Sequence, residues 1–372
     1  MSRAFSSVLY YNKEMEKRLL FTTLVLLIFG LIVLSSAGII DGDKKFGDSY
    51  YYLKKQLLYG VLPGLLLFFL FSKIDYRFWK KVSFIILFGS LLLMILVFIP
   101  DIGIGLKGAN RWVSLWGVSF QPSEILKLAM VVYLAAWFGS RDERIKNWSY
   151  SAAPFFVVIS FIGLLLALQP DVGTLAVVVL IALGIYFAAG SSMKHLAVII
   201  GVFLVILAGL VFMEPYRLNR IKTFFDPSVD PRGISYQLNQ SLIAIGSGGL
   251  FGNGYNESTQ KWGFLPEVVN DSIFAVVVEE LGFAGAMVLV GLIIYLCYTL
   301  ISIAKLTSDK FGRLLVIGMS TWIVGQAFIN IAAVSGLAPL TGIPLPFVSH
   351  GGTAIIALLA GLGIVSNIAK KT

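Results

Sequence analysis

The sequence predicts an all-α, polytopic integral membrane protein with ten transmembrane helices. Three observations carry that expectation. Of the 372 residues, 58% are hydrophobic and only 13% are charged, whereas soluble domains carry about a quarter charged residues. The mean hydropathy is +0.87. The apolar residues also come as unbroken tracts of ~20, the length that crosses a bilayer core as a helix, rather than as one face of an amphipathic pattern. A soluble two-domain enzyme is excluded, and no length remains for a folded domain outside the membrane.

The runs follow in order. Residues 19–40 exceed a signal-peptide core and lack a small-residue cleavage pattern, so they read as a retained anchor. Runs 56–72 and 82–99 are separated by Lys73, Arg77, Lys80 and Lys81. The run 122–139 is the weakest, because Glu124 and Lys127 lie near its start. Their spacing puts acid and base on one helical face. Two readings stand: mutual neutralisation within lipid, or a lysine that faces a substrate. Runs 152–168, 173–190 and 196–213 follow in close succession. The run 271–303 is long enough to span with tilt or to begin above the lipid. Runs 313–334 and 351–369 complete the set.

Basic residues fix the orientation. With the N-terminus inside, the cytoplasmic segments hold 17 Lys and Arg against 11 in the outer loops, and five of those eleven sit in one long loop. Both termini are therefore expected in the cytoplasm. The net charge of +9 suits anionic lipid headgroups rather than nucleic acid. A single cysteine, Cys297, allows no intrachain disulfide, and His195 and His350 cannot make a His-rich metal site.

Non-spanning residues are concentrated outside. The loop 214–270 is by far the longest, 100–121 is moderate, and 335–350 is rich in proline and glycine. Polar chemistry gathers there. Arg217, Arg220 and Lys222 stand at the outer end of the seventh run, where positive charge is disfavoured. A guanidinium fork suits a phosphate or diphosphate, and snorkelling toward lipid phosphate is the alternative. Tyr236–Gly246 reads as a re-entrant or surface helix ending in the glycine-rich GSGGLFGNG turn. No GxxxxGK[ST] pattern is present, which disfavours nucleotide binding.

In LPEVVND, Glu267 and Asp271 lie four residues apart and share a face if the helix already includes Glu267. Asp271 is either a helix N-cap or a functional acid. Glu279 and Glu280 follow further along. Arg111 in GANRW and Asp171 in QPDVGT are outer-face charges with weak individual signals. Ser349-His350 reads as part of a rigid scaffold rather than a nucleophile pair.

At these motifs the chain resembles the SEDS family (shape, elongation, division and sporulation), whose members polymerise peptidoglycan glycan strands. The matching segments are KFGDSYYYLKKQL, GANRWVSLWGVSFQPSEILKLA, QPDVGT, DPRGISYQLNQSLIAIGSGGLFGNG, STQKWGFLPEVVNDSIFAVVVEELG and GLAPLTGIPLPFVSHGG. They cover the whole set of spans. The FGD-YY-LK-Q segment and STQK resemble the division-type (FtsW, SpoVE) branch more than the elongation-type branch. Two departures occur: Asp271 is followed by Ser272 where the family has Phe, and His350 stands where it has Tyr.

The resemblance implies one membrane domain over 1–372, with 214–270 as a large extracytoplasmic loop, in the bacterial cytoplasmic membrane. It implies lipid II as substrate, inverting glycosyl transfer with release of polyprenyl diphosphate, and Asp271 as the catalytic acid of the LPE-x-x-x-D motif. Glu267 is that motif's Glu, placed to orient the acceptor or to help hold a divalent cation. Mg²⁺ or Mn²⁺ is thus allowed for but not required. Arg111, Glu124, Lys127, Asp171, Arg220 and Lys261 fall on charged positions typical of the family. Arg217, Arg220, Lys127 and Arg111 are candidates for the diphosphate. The implied partners are a class B penicillin-binding transpeptidase and other divisome or elongasome membrane proteins. A lipid II flippase and a non-catalytic scaffold for a transpeptidase are the competing readings.

Overall fold

The computed structural model describes residues 2–106, 109–115, 118–140, 148–212 and 215–371, and places the side chains of all of these except 2–12, 106, 109, 115, 118, 148–154 and 215–217. Arg141, Arg144, Lys146 and the side chain of Arg217 lie outside the described residues.

The order of elements is α1 (Ser2–Ala37), α2 (Ile39–Phe46), α3 (Tyr51–Gln56) running through a π turn into α4 (Leu62–Lys73), and α5 (Tyr76–Leu96). A small sheet follows, β1 (Gly103–Leu106), β2 (Ala109–Leu115) and β3 (Val118–Phe120). Then come α6 (Pro122–Gly139), α7 (Trp148–Leu168), α8 (Val172–Ala188), α9 (Met193–Phe212), α10 (Pro215–Phe225) and α11 (Tyr236–Ser247). The chain ends with α12 (Ile273–Leu306), α13 (Lys310–Val334) and α14 (Gly352–Lys371). Every one of the ten predicted runs coincides with a helix. Among the described residues, eight helices are long and apolar enough to cross a bilayer, and Phe155–Leu168 and Val172–Ala188 are shorter apolar ones.

Burial explains the weakest run. The most apolar stretch of α6 is 72% buried, against 6% for that of α9. A helix facing lipid must be apolar on every side, while one enclosed by protein can carry ionisable groups if they are paired. α6 is the second kind. Pro122 opens it at a position where the missing N–H costs nothing. An apolar cleft of about 270 Å³ separates α7, α8 and α9 and is lined by residues such as Phe155, Val179 and Phe203.

Two features depart from the expectation of helices joined by loops. The segment 100–121 contains the antiparallel sheet in order β1-β2-β3, with Gly103 opposite Val113 and Val113 opposite Phe120. The long loop 214–270 contains, besides the helix expected over Tyr236–Gly246, which is α11, a second helix, α10.

The eighth span is also not one continuous helix. α12 breaks at Gly282, whose φ is +68°. In an unbroken helix the amides of Phe283 and Ala284 would donate to the carbonyls of Glu279 and Glu280. Here they donate to Gly249 O (2.9 Å) and Leu250 O (3.0 Å) instead. The orphaned carbonyls accept from Asn253 N and Gly254 N, both at 3.0 Å. The glycine-rich turn is therefore grafted into the helix's own ladder. Only glycine permits this approach: a Cβ on Gly252 would lie 2.1 Å from Glu280 O, and one on Gly282 would lie 2.3 Å from Gly252 N. Beyond the break, Phe283–Leu306 is about 36 Å long, enough to cross a ~30 Å hydrocarbon core alone.

Candidate functional site at the head of α12

The turn before α12 is built from Leu265 to Ser272. Glu267 adopts φ +54°, a left-handed conformation that costs a residue with a Cβ about 1–3 kcal/mol and marks a site held by its surroundings. Its carbonyl accepts from Asn270 N (2.9 Å) and Ser272 N (3.2 Å), and its Oε2 accepts from Asn270 Nδ2 at 2.7 Å. The helix begins only at Ile273, so Glu267 and Asp271 do not share a helical face. The N-cap position belongs to Ser272, which makes no side-chain cap bond. The capping reading of Asp271 therefore fails, because the chain enters the helix one residue later.

Asp271 is 8% exposed and is enclosed by four elements. From α11, Gln237 Nε2 donates to Asp271 Oδ2 at 3.4 Å and to Ser272 Oγ at 3.1 Å. From α13, Asn330 Nδ2 donates to the carbonyls of Asp271 (2.8 Å) and Ile343 (2.7 Å). From α10, Arg220 Nη1 donates to Leu340 O at 2.6 Å. The fourth element is the loop 335–351. A Cβ added to Gly342 would sit 3.9 Å from both Arg220 Nη1 and Asp271 Oδ2, so guanidinium and carboxylate lie within twice that distance.

That loop is tied to the turn. Ser349 Oγ donates to Asn270 O (2.5 Å) and accepts from Leu345 N (2.8 Å). His350 N donates to Val269 O at 2.8 Å, and Gln56 bonds Ser349 O (3.2 Å) and Gly351 N (2.9 Å). Ser349 and His350 are thus structural pins. The His350 ring packs edge-on against Tyr52, and burial pushes its pKa down to about 4, with Lys55 adding to the shift.

The other predicted residues form three separate groups. Lys127 bonds Glu124 Oε1 (2.8 Å) and Gln326 Oε1 (2.8 Å) and lies over the Trp322 ring, with both partners of the ion pair buried. Gln326 passes the connection on to Pro344 O at 2.9 Å, so this pair supports the loop over Asp271. Arg111 on β2 donates to Gln169 O (3.2 Å) and Pro170 O, with Asp171 Oδ1 3.8 Å from its Nη1. Asp171 caps α8 through Thr174 N. Lys261 is buried against Glu280 (2.8 Å), Ser36 (2.9 Å) and Asn256 (2.7 Å). Beside it, Glu279 accepts from Ser258 Oγ (2.5 Å), Thr259 N and Thr259 Oγ1 (both 2.8 Å). Arg220 and Glu267 are the charged residues of the prediction that accompany Asp271.

Gln237, Asn330 and Gly342 were not among the predicted site residues. A signal existed for one: Gln326 and Asn330 lie one turn apart in an otherwise apolar span, and intramembrane amides usually meet a partner. Among the described residues no three His, Cys, Asp or Glu side chains gather as a metal would require.

Comparison with known proteins accords with this architecture. The family model described as "Cell cycle protein", covering FtsW, RodA and SpoVE, matches residues 17–372. A probable peptidoglycan glycosyltransferase FtsW of Geobacter sp. (strain M18) is 37% identical over 356 residues, spanning 95% of this chain and 96% of that one. Stage V sporulation protein E of Bacillus subtilis (strain 168) is 36% identical over 352 residues, again 95% and 96%. Among solved structures, a chain of a peptidoglycan synthase complex that coordinates polymerization and crosslinking superposes with a TM-score of 0.77 at 27% identity, covering 95% of this chain and 97% of that one. Thermus thermophilus RodA gives 0.69 at 27% identity, with 95% and 96% covered. The chain is a multi-pass membrane protein and belongs to the FtsW/RodA/SpoVE family of cell cycle proteins.

Proposed function

We propose that this protein is a peptidoglycan glycosyltransferase that polymerises lipid II on the outer face of the bacterial cytoplasmic membrane, with Asp271 as general base. The observation that carries the reading is the Asp271 carboxylate, enclosed at the head of α12, with its Oδ2 and Arg220 Nη1 each 3.9 Å from where a Cβ on Gly342 would sit. The donor brings its own diphosphate leaving group, so a single base suffices. Asp271 takes the proton of the acceptor GlcNAc 4-hydroxyl as that oxygen attacks C1 of the donor MurNAc with inversion. The C1–O bond to diphosphate breaks, and polyprenyl diphosphate departs with its charge met by Arg220 and Arg217. Glu267 orients the acceptor. Arg111, Glu124, Lys127, Asp171 and Lys261 act through the support they give to β2, to the loop over Asp271 and to the segment of α12 before Gly282.

The apolar cleft beside α9 offers a place for the polyprenyl tail, which needs an apolar wall open to lipid. The chain forms one domain with ten crossings, both termini cytoplasmic and residues 214–270 outside. By its likeness to a subunit of a peptidoglycan synthase complex, it works beside a class B penicillin-binding transpeptidase within a division or elongation assembly.

The test is polymerisation of lipid II by purified protein in detergent, alone and with that transpeptidase. Asp271→Ala and Asp271→Asn are expected to lose about 10²–10⁴ in rate while still binding donor. Polymer made at the wild-type rate by either variant would refute the assignment. Because no membrane remains to be crossed, the same assay separates an enzyme from a flippase or an inert scaffold.

A further inference from the structure

We infer that Gln237 is a positioning residue for the transfer reaction: its side-chain amide, divided between Asp271 Oδ2 and Ser272 Oγ, sets the direction in which the Asp271 carboxylate faces. The inference rests on the reading of Asp271 as the base.

An amide nitrogen carries two hydrogens and accepts nothing, so Nε2 can serve two acceptors at once. The two acceptors here are consecutive residues, at 3.1 Å for Ser272 Oγ and 3.4 Å for Asp271 Oδ2. Ser272 is fully buried, which makes its contact the firmer anchor and holds the amide in place for the carboxylate. The longer contact gives orientation more than energy. Backbone and side chain of Asp271 are thereby governed from different helices. Asn330 on α13 fixes the main-chain carbonyl, and Gln237 on α11 fixes one carboxylate oxygen.

α11 is itself immobilised by the graft that follows it, since Gly249, Leu250, Asn253 and Gly254 are bonded into the break of α12. The helix carrying the amide and the helix that follows the acid are joined by these main-chain bonds, which begin twelve residues after Gln237 and eight after Asp271. Such rigidity is what a proton acceptor needs, because reacting atoms must be held within tenths of an ångström of the productive geometry.

The experiment uses the purified full-length chain, with and without its transpeptidase partner, and measures initial rates of lipid II polymerisation. Gln237→Ala is expected to lower kcat about 10- to 100-fold with KM for lipid II within about twofold, since orientation acts on the transition state. Gln237→Glu keeps the shape but replaces the donor with a second carboxylate, and is expected to fall at least as far. Ser272→Ala, which frees the amide from its anchor, is expected to lose several-fold and carries the test should Gln237→Ala fail to fold. In an Asp271→Ala background, Gln237→Ala is expected to add nothing to the loss. Wild-type rates in Gln237→Glu, a rise in KM with kcat unchanged, or a full additional loss in the Asp271→Ala background would each overturn the inference while leaving the base in place. A fully active Asp271→Ala protein would remove the base itself.

Discussion

The side-chain amide of Asn330 holds the main-chain carbonyl of Asp271 at 2.8 Å from a helix fifty-nine residues further along the chain. The same nitrogen reaches Ile343 O at 2.7 Å, so one amide sutures the acid's turn to the loop that covers it. Asn330→Leu strips the donor from two carbonyls and is expected to cost about 1–3 kcal/mol, the penalty for leaving buried acceptors unpaired. Thermal unfolding in detergent measures that loss. Polymerisation is expected to fall further than stability does, and an Asn330→Leu protein with normal melting and normal rate would show that the suture is idle.

The Glu124–Lys127 pair invites a test in two stages. Removing one partner of a buried ion pair strands the other charge and typically costs about 3–5 kcal/mol. Lys127→Met is therefore expected to lower the melting temperature sharply, and Glu124→Leu to do the same. The double variant Glu124→Leu/Lys127→Met is expected to recover much of the loss. Failure of the double variant to recover would indicate that Lys127 acts through Gln326 and Pro344 rather than through its acid.

Two neighbouring glycines should respond in opposite ways. A Cβ at Gly246 meets nothing within 4 Å, so Gly246→Ala in α11 is expected to stabilise by about 0.5–1 kcal/mol. At Gly252 the added carbon lies 2.1 Å from Glu280 O, and φ is +81°. Gly252→Ala is expected to expel the graft, with a loss above about 3 kcal/mol, read as poor yield and early unfolding. Equal melting temperatures for the two variants would contradict the grafted geometry.

His350 gives stability a pH dependence. Its folded pKa of about 4 lies below its ordinary 6.5 because burial disfavours the imidazolium. The unfolded chain binds the proton first, so this contribution is complete above about pH 6.5 and fades as pH falls toward 4. The slope is about 1.4 kcal/mol per unit in that window. Melting curves between pH 7 and 4.5 should show the decline, and His350→Gln should flatten it.

What could be read from the sequence follows from which interactions are local. Spans announce themselves because every residue facing lipid must be apolar, so each predicted run found its helix. Asp271 and Glu267 were legible as charges beside hydrocarbon, and Glu124 with Lys127 as a one-face pair. Gln237 and Asn330 were not, because an uncharged amide gains meaning only from what another helix places opposite it. The sheet escaped for a related reason: β1 and β3 are only four and three residues long, and the strands pair with each other. Lys261 shows how a charge's partners stay hidden in the sequence. The resemblance marks it as a charged position typical of the family, and its ammonium is held by Glu280, Ser36 and Asn256.

The break at Gly282 also decides how the protein answers to bilayer thickness. A continuous rod from Ile273 to Leu306 would carry any change of tilt straight to Asp271 at its head, and spans do lean to match the lipid around them. The main-chain bonds to residues 249–254 hold both sides of the break, Glu279 and Glu280 above Gly282 and Phe283 and Ala284 below it, so the lower piece leans only by bending beyond Ala284. The Asp271 carboxylate then keeps its place among α10, α11, α13 and the loop 335–351 as acyl-chain length changes.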